Sequence, residues 1–243
     1  MTNCKHCRTP ITEKYCANCG HAAKLHRIDR HYIAHEIEHL LHFEKGVFYT
    51  VKELIVRPGH SIREFIEENR NKHMKPVAFL ILTSIIYSLI AHIFYPEEMY
   101  NVEENALLEK SNIATIRHWV GTHYGYANII MSLFIVLTVK LFFKNYKYNL
   151  YEITILLCFV MGQGMLLLSV EAFFAGLVSK QLFLAILVII SFAYPTWAIG
   201  QFYDPNKVKS YVKAFLAYLI GYLLFDLAAT LVGVVADLAV KFL

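Results

Sequence analysis

Residues 153–170 read ITILLCFVMGQGMLLLSV, eighteen positions without a charge. At 1.5 Å per residue an α-helix of that length covers about 27 Å, close to the roughly 30 Å hydrocarbon core of a bilayer. Working outward, the run extends to 153–178, and four more stretches of comparable character lie at 76–95, 126–143, 181–200 and 214–240. The whole chain is 57% hydrophobic and only 17% charged, with a mean hydropathy of +0.44. Soluble domains carry about 25% charged residues, so this balance excludes an ordinary soluble enzyme. Residues 1–75 contain no such run, and the start, Met1-Thr2-Asn3-Cys4-Lys5-His6-Cys7, lacks the apolar segment of a secretory signal. The fold class expected is an all-α membrane protein, a five-span helical bundle carrying a small cytosolic head.

Charge sets the expected orientation. Of the 23 Lys and Arg, 13 fall in residues 1–75, three (Lys140, Lys144, Lys147) follow the second span and three (Lys207, Lys209, Lys213) precede the fifth. The opposite side holds Lys110, Arg117, Lys180 and Lys241. The positive-inside rule puts the N-terminus in the cytoplasm and the C-terminus outside, in a multi-pass protein of the cytoplasmic (inner) membrane. The net charge of +4 is thus a topology signal, and a nucleic-acid partner is not expected.

Residues 1–24 hold two CxxC pairs, Cys4/Cys7 and Cys16/Cys19, with Gly20 after the last cysteine. Each pair lets two thiolates converge from one tight turn, and two turns complete a tetrahedral site of the zinc-ribbon type. A segment this short cannot bury a core of its own, so one structural Zn²⁺ would supply its folding energy. Four thiolates leave no open position for catalysis. The fifth cysteine, Cys158, lies within the third span and reads as a small apolar residue.

Residues 25–75 read as amphipathic helices. His31, His35, His39 and His42 fall within about 80° of one another on a helical wheel, opposite Ile33, Ile37, Leu40 and Leu41. That face is either solvated, a second metal site, or a pH-sensing surface. Downstream, Thr50-Val51-Lys52-Glu53 and Ser61-Ile62-Arg63-Glu64 read as capping boxes that start two helices, the first ending at Arg57-Pro58-Gly59 and the second near His73. Arg63, Arg70 and Lys72 then stand ready for anionic headgroups, or simply anchor the cytosolic side.

Taken in order, the four cysteines, Phe48-Tyr49-Thr50, Leu54, Arg57-Pro58-Gly59, Ile62-Arg63-Glu64-Phe65-Ile66, Arg70 and Pro76 resemble an uncharacterised (domain-of-unknown-function) family of bacterial polytopic membrane proteins. The resemblance covers residues 4–95 and implies a zinc ribbon, two short helices and then several spans in the cytoplasmic membrane, with no established activity. The family pattern has Gly-Lys-Arg where this chain has Glu68-Asn69-Arg70, which removes support for a phosphate-binding loop. A looser likeness is to Yip-type membrane proteins, which share a cytosolic N-terminus and five spans.

Ionisable residues within spans are candidates for function, because lipid exposure is costly. Asp226 stands thirteen residues into the fifth span and Glu171 in the outer part of the third. They read either as a proton or cation site or as neutral polar contacts between helices. Gly162, Gly164 and Gly221 offer small surfaces for helix contact, Pro195 is expected to kink the fourth span, and residues 96–125 form an acidic outer connection. No catalytic constellation emerges, so no enzyme is expected. The reading is a non-enzymatic recruitment or scaffolding protein: the ribbon docks a cytosolic protein partner, and the bundle, residues 76–243, anchors in the lipid bilayer or forms a homo-oligomer. The alternatives are a transporter or channel subunit using Asp226 and Glu171, and metal or pH sensing through the His31–His42 face.

Overall fold

The computed structural model describes residues 2–4, 7–11, 14–20, 22, 27–33, 46–95 and 111–242. In chain order its helices are α1 (Val47–Val56), α2 (Pro58–Glu67), α3 (Pro76–Phe94), α4 (Asn112–Thr122), α5 (Tyr124–Phe142), α6 (Leu150–Phe173), α7 (Lys180–Tyr203) and α8 (Val208–Phe242). Five of them, α3 and α5 to α8, are long and apolar enough to cross a membrane. Local chemistry explains their starts. Pro76 opens α3 at a position that needs no amide donor. Asn149 and Glu152 form a reciprocal capping box at the head of α6, and Ser179 accepts from Leu182 N–H at the head of α7.

The run at 153–170 occupies the centre. Helix α6 packs against α3, α5 and α7 and is also touched by α1 and α2. It is the most buried of the five apolar helices, and α8, which packs on α4, α5 and α7, is the most exposed. Close approach is made at small residues, as the contact-driven packing of apolar helices requires. A Cβ on Gly162 would lie 2.8 Å from the Phe79 ring of α3, and one on Gly221 would lie 2.8 Å from Ile135 Cα of α5. Gly164 makes no such contact and instead lines a cavity of about 20 Å³ with Tyr124, Asn128, Ser191 and Tyr218. Helix α7 runs on through Pro195.

Helices α1 and α2 form a hairpin packed on α6 and α7, and here the structure corrects the helix starts expected from the sequence. Helix α1 begins at Val47, three residues before Thr50, and α2 begins at Pro58 and ends at Glu67. Thr50 and Ser61 are therefore interior residues, buried, and their hydroxyls serve tertiary contacts. Thr50 Oγ1 accepts from Met74 N–H at 2.9 Å, tying α1 to the start of α3. Ser61 Oγ lies 3.0 Å from the Arg57 carbonyl and 3.2 Å from Glu53 Oε2, while Glu53 pairs with Arg57 at 2.6 Å. The pattern Ser/Thr-x-x-Glu is the same whether it caps a helix or sits inside one. The real punctuation is Gly46 (φ 137°) before α1 and Pro58 at the first position of α2.

The hairpin is held by aromatic rings and one close backbone approach. Phe65 meets Phe159 of α6 edge-on at 5.2 Å, and Phe159 meets Phe79 of α3 at 6.0 Å. Such ring pairs contribute about 0.5–1.5 kcal/mol beyond the area they bury. Gly59 donates its N–H to Gln201 Oε1 at 2.8 Å, and a Cβ there would fall 2.2 Å from Phe202 N. Only glycine lets α2 lie on α7 this closely. On the rim, burial pushes the Glu64 carboxyl up, but the Lys72 ammonium 2.7 Å away more than reverses this and holds it below the usual range.

Candidate metal centre

Four thiols converge at the N-terminus. Strands β1 (Thr2–Asn3) and β2 (Pro10–Ile11) pair antiparallel, Thr2 with Ile11 and Asn3 with Pro10, and a bridge joins Tyr15 to Ala22. Between these elements Cys4, Cys7, Cys16 and Cys19 place their Sγ atoms within 4.8 Å of one another, with Cys4–Cys19 at 3.6 Å and Cys7–Cys16 at 3.5 Å. A disulfide needs about 2.05 Å between sulfurs, so these are four separate thiols. Four sulfurs around one ion at about 2.3 Å each would stand about 3.8 Å apart, and the observed spacings fit that geometry. Cys4 and Cys16 are buried, Cys7 is half-buried and Cys19 is exposed.

Thr9 organises the cluster, and nothing in the cysteine spacing marks it. Its carbonyl accepts from Cys4 N–H at 2.8 Å, and its hydroxyl lies 3.3 Å from both Cys7 Sγ and Asn18 Nδ2. The Thr9 hydroxyl, then its backbone amide, lower the Cys7 thiol to about 5 against a small opposing effect of burial; the Cys19 and Cys16 thiols add to the lowering. A thiol held low in this way is a thiolate at neutral pH, the form a metal binds. The four cysteines can hold a metal ion.

The segment following the head is fastened to the bundle. Ile28 is fully buried in the main core, with its carbonyl accepting from Asn149 Nδ2 at 3.0 Å. Arg27 forks onto Glu152, Nε to Oε1 at 3.0 Å and Nη2 to Oε2 at 3.1 Å, and also donates to the Lys147 carbonyl. Glu152 simultaneously accepts from Asn149 N–H at 2.7 Å. One buried carboxylate therefore caps α6 and grips the chain leaving the metal head. The partners are 125 residues apart in sequence, and the acid–amide pattern at 149–152 signals only the cap.

Among the described residues, no other candidate joins this site. His31 is exposed in a helical turn at 30–33, and His35, His39 and His42 lie outside the described residues, as do the acidic residues of 96–110. Glu171 is buried near the C-terminal end of α6, where its Oε2 accepts from Tyr95 Oη at 3.2 Å and its Oε1 meets no donor among the described residues. Asp226 is exposed on α8, with no hydrogen bond to Glu171 among the described residues. Sequence reasoning also passed over Tyr95 and the role of Asp237, which accepts from both Asn112 N–H (2.9 Å) and Asn112 Nδ2 (2.8 Å) and fastens α4 to α8. Cys158 is buried, and Lys140 turns its ammonium to the Tyr148 carbonyl at 2.7 Å.

Comparison with known proteins bears on the hairpin. A family model described as a protein of unknown function (DUF3667) matches residues 44–88, which span α1, α2, the connection to α3 and two-thirds of α3 itself. The match fits the resemblance to an uncharacterised family. Neither a curated protein nor a solved structure matches the chain.

Proposed function

We propose that this is a multi-pass protein of the cytoplasmic membrane whose cytosolic head, folded around one structural Zn²⁺, docks a cytosolic protein without catalysing a reaction. The observation that carries this reading is the fastening of a four-thiol head to the capped start of the central helix, through Arg27, Ile28 and Glu152. A closed set of four thiolates suits structural zinc rather than catalysis. The clustered basic residues of the short loops support a cytoplasmic N-terminus and an outward C-terminus.

The test is zinc per chain in detergent-purified protein, with Cys4→Ser/Cys16→Ser as comparison, followed by photo-crosslinking from Tyr15, which is 65% exposed on the head. About one zinc, lost in the variant together with a specific cross-linked product while membrane insertion persists, supports the reading. Absence of zinc from the parent protein overturns it. A second ion surviving in the variant would favour metal sensing through His31, His35, His39 and His42 instead.

One observation favours a second reading, proton or cation handling. Glu171 is buried with one oxygen bound by Tyr95 and the other meeting no donor among the described residues. Flux through reconstituted vesicles that Glu171→Gln abolishes would support it, and unchanged flux would remove it.

A further inference from the structure

Helix α1 buries one face and leaves the other bare. Thr50 and Leu54 point into the core, whereas Phe48 is 91% exposed and Tyr49, Ile55 and Val56 are exposed beside it. At 100° per residue these four and Lys52 fall within about 120° of the helix circumference. The bare face carries four apolar side chains, one cation and no anion. Glu53 is turned toward Arg57 and Ser61, and Lys52 makes no ion pair among the described residues.

The contacts of the hairpin fix its depth. Phe65 packs on Phe159, nine residues along α6 and so about 13 Å from its first residue. The Leu54 carbonyl accepts from Tyr194 Oη at 3.2 Å, and Tyr194 stands nine residues before the end of α7. The hairpin therefore lies between the helix ends rather than beyond them, and α7 goes on to expose Val188 and Ile189 past that contact. A helix with one apolar face, set at the level where apolar helices emerge, has lipid beside it, and a lysine within that face can extend along its alkyl stem to the phosphate layer.

We propose that α1 is an in-plane membrane helix: acyl chains of the cytoplasmic leaflet cover Phe48, Ile55 and Val56, and Lys52 meets the phosphates of anionic lipid. This rests on the reading that the five long helices span the bilayer. The Phe65–Phe159 and Tyr194–Leu54 contacts then hold the hairpin as a wedge in one leaflet.

The experiment places the full chain in phosphatidylcholine/phosphatidylglycerol vesicles with nitroxides at a shallow or a deep acyl position. Phe48→Trp is read as emission added to that of Trp119 and Trp197, with Val56→Trp as a second reporter should the first fail to fold. Leu133→Trp, exposed midway along α5, reports on the spanning reading separately. Blue-shifted emission lost to shallow nitroxides, with loss reduced by Lys52→Glu in the anionic vesicles, is the expected result. Emission at long wavelength that aqueous iodide quenches would put the face in water and overturn the proposal. Blue-shifted emission that neither nitroxide nor iodide reaches would show a protein cover, and would overturn it as well. If Leu133→Trp escapes the deep nitroxide, the spanning reading itself fails and takes this one with it.

Discussion

Arg8 N–H donates to the Cys4 carbonyl and Gly20 N–H to the Cys16 carbonyl, both at 2.8 Å and both from the left-handed region, at φ 63° and 71°. The two residues are counterparts, each closing a CxxC turn. Only glycine takes this conformation freely; a residue with a Cβ loses about 1 kcal/mol or more there. Arg8→Gly is therefore expected to tighten metal binding several-fold. Gly20→Ala, which meets no atom within 4 Å and is strained by its backbone alone, should weaken it by a similar factor. Competition with a chromogenic chelator measures both.

Gly59→Ala is expected to separate the hairpin from α7. The added methyl would fall 2.2 Å from Phe202 N and 2.4 Å from the Gln201 carbonyl carbon, both backbone atoms that cannot rotate away. Overpacking of this kind costs about 1–3 kcal/mol or more. A lowered melting temperature in detergent, with faster proteolysis around Arg57, is the expected outcome.

Glu152→Ala should cost more than Arg27→Ala. The first removes the carboxylate half of the α6 capping box, which accepts from Asn149 N–H, together with the grip on Arg27, while the Asn149 side chain still caps the residue-152 N–H. The second removes a cation that is largely solvent-exposed, so its own contribution is screened. In a double-mutant cycle read by thermal melts, the Arg27→Ala effect should shrink once Glu152 is gone.

His73 predicts a pH dependence. It packs against Tyr49, Phe65 and Phe159 at ring distances of 5.2, 6.3 and 6.1 Å, and burial lowers its imidazole below the usual 6.5 although Glu64 and Glu53 pull the other way. As pH falls below 6.5 the unfolded chain takes up this proton before the folded chain does. Stability present above that value is then lost as pH drops through the lowered folded value. Glu64, held below its usual 4.5, adds its own loss only at more acidic pH. His73→Phe should flatten the fall in melting temperature between about pH 7.5 and about pH 5.5.

Much of this architecture is legible from local pattern. An uncharged run such as 153–170 has few alternatives to a long apolar helix, and two CxxC turns have few uses other than bringing four sulfurs together. What escaped was carried by contacts distant in sequence. Thr50 and Ser61 carry a capping signature whose hydroxyls turn out to bond Met74 and Arg57. Glu152 reads as a cap, and only the fold brings Arg27 to it. Asp226 and Glu171 look equivalent as carboxyls in apolar runs, but one is exposed on α8 and the other is buried against Tyr95. Helical periodicity says which residues share a face, and it is silent on which neighbour that face meets.

The anchorage of Arg27 and Ile28 also sets a leash. Ala22 takes part in the last bridge of the head and Arg27 is already bound to α6, so five peptide steps separate them, at most about 17 Å of extended chain. Anything bound at the head would be kept within a narrow shell of the α6 start. For a second, weaker contact with the hairpin, that confinement amounts to a local concentration in the millimolar range, and binding too weak to persist alone would hold.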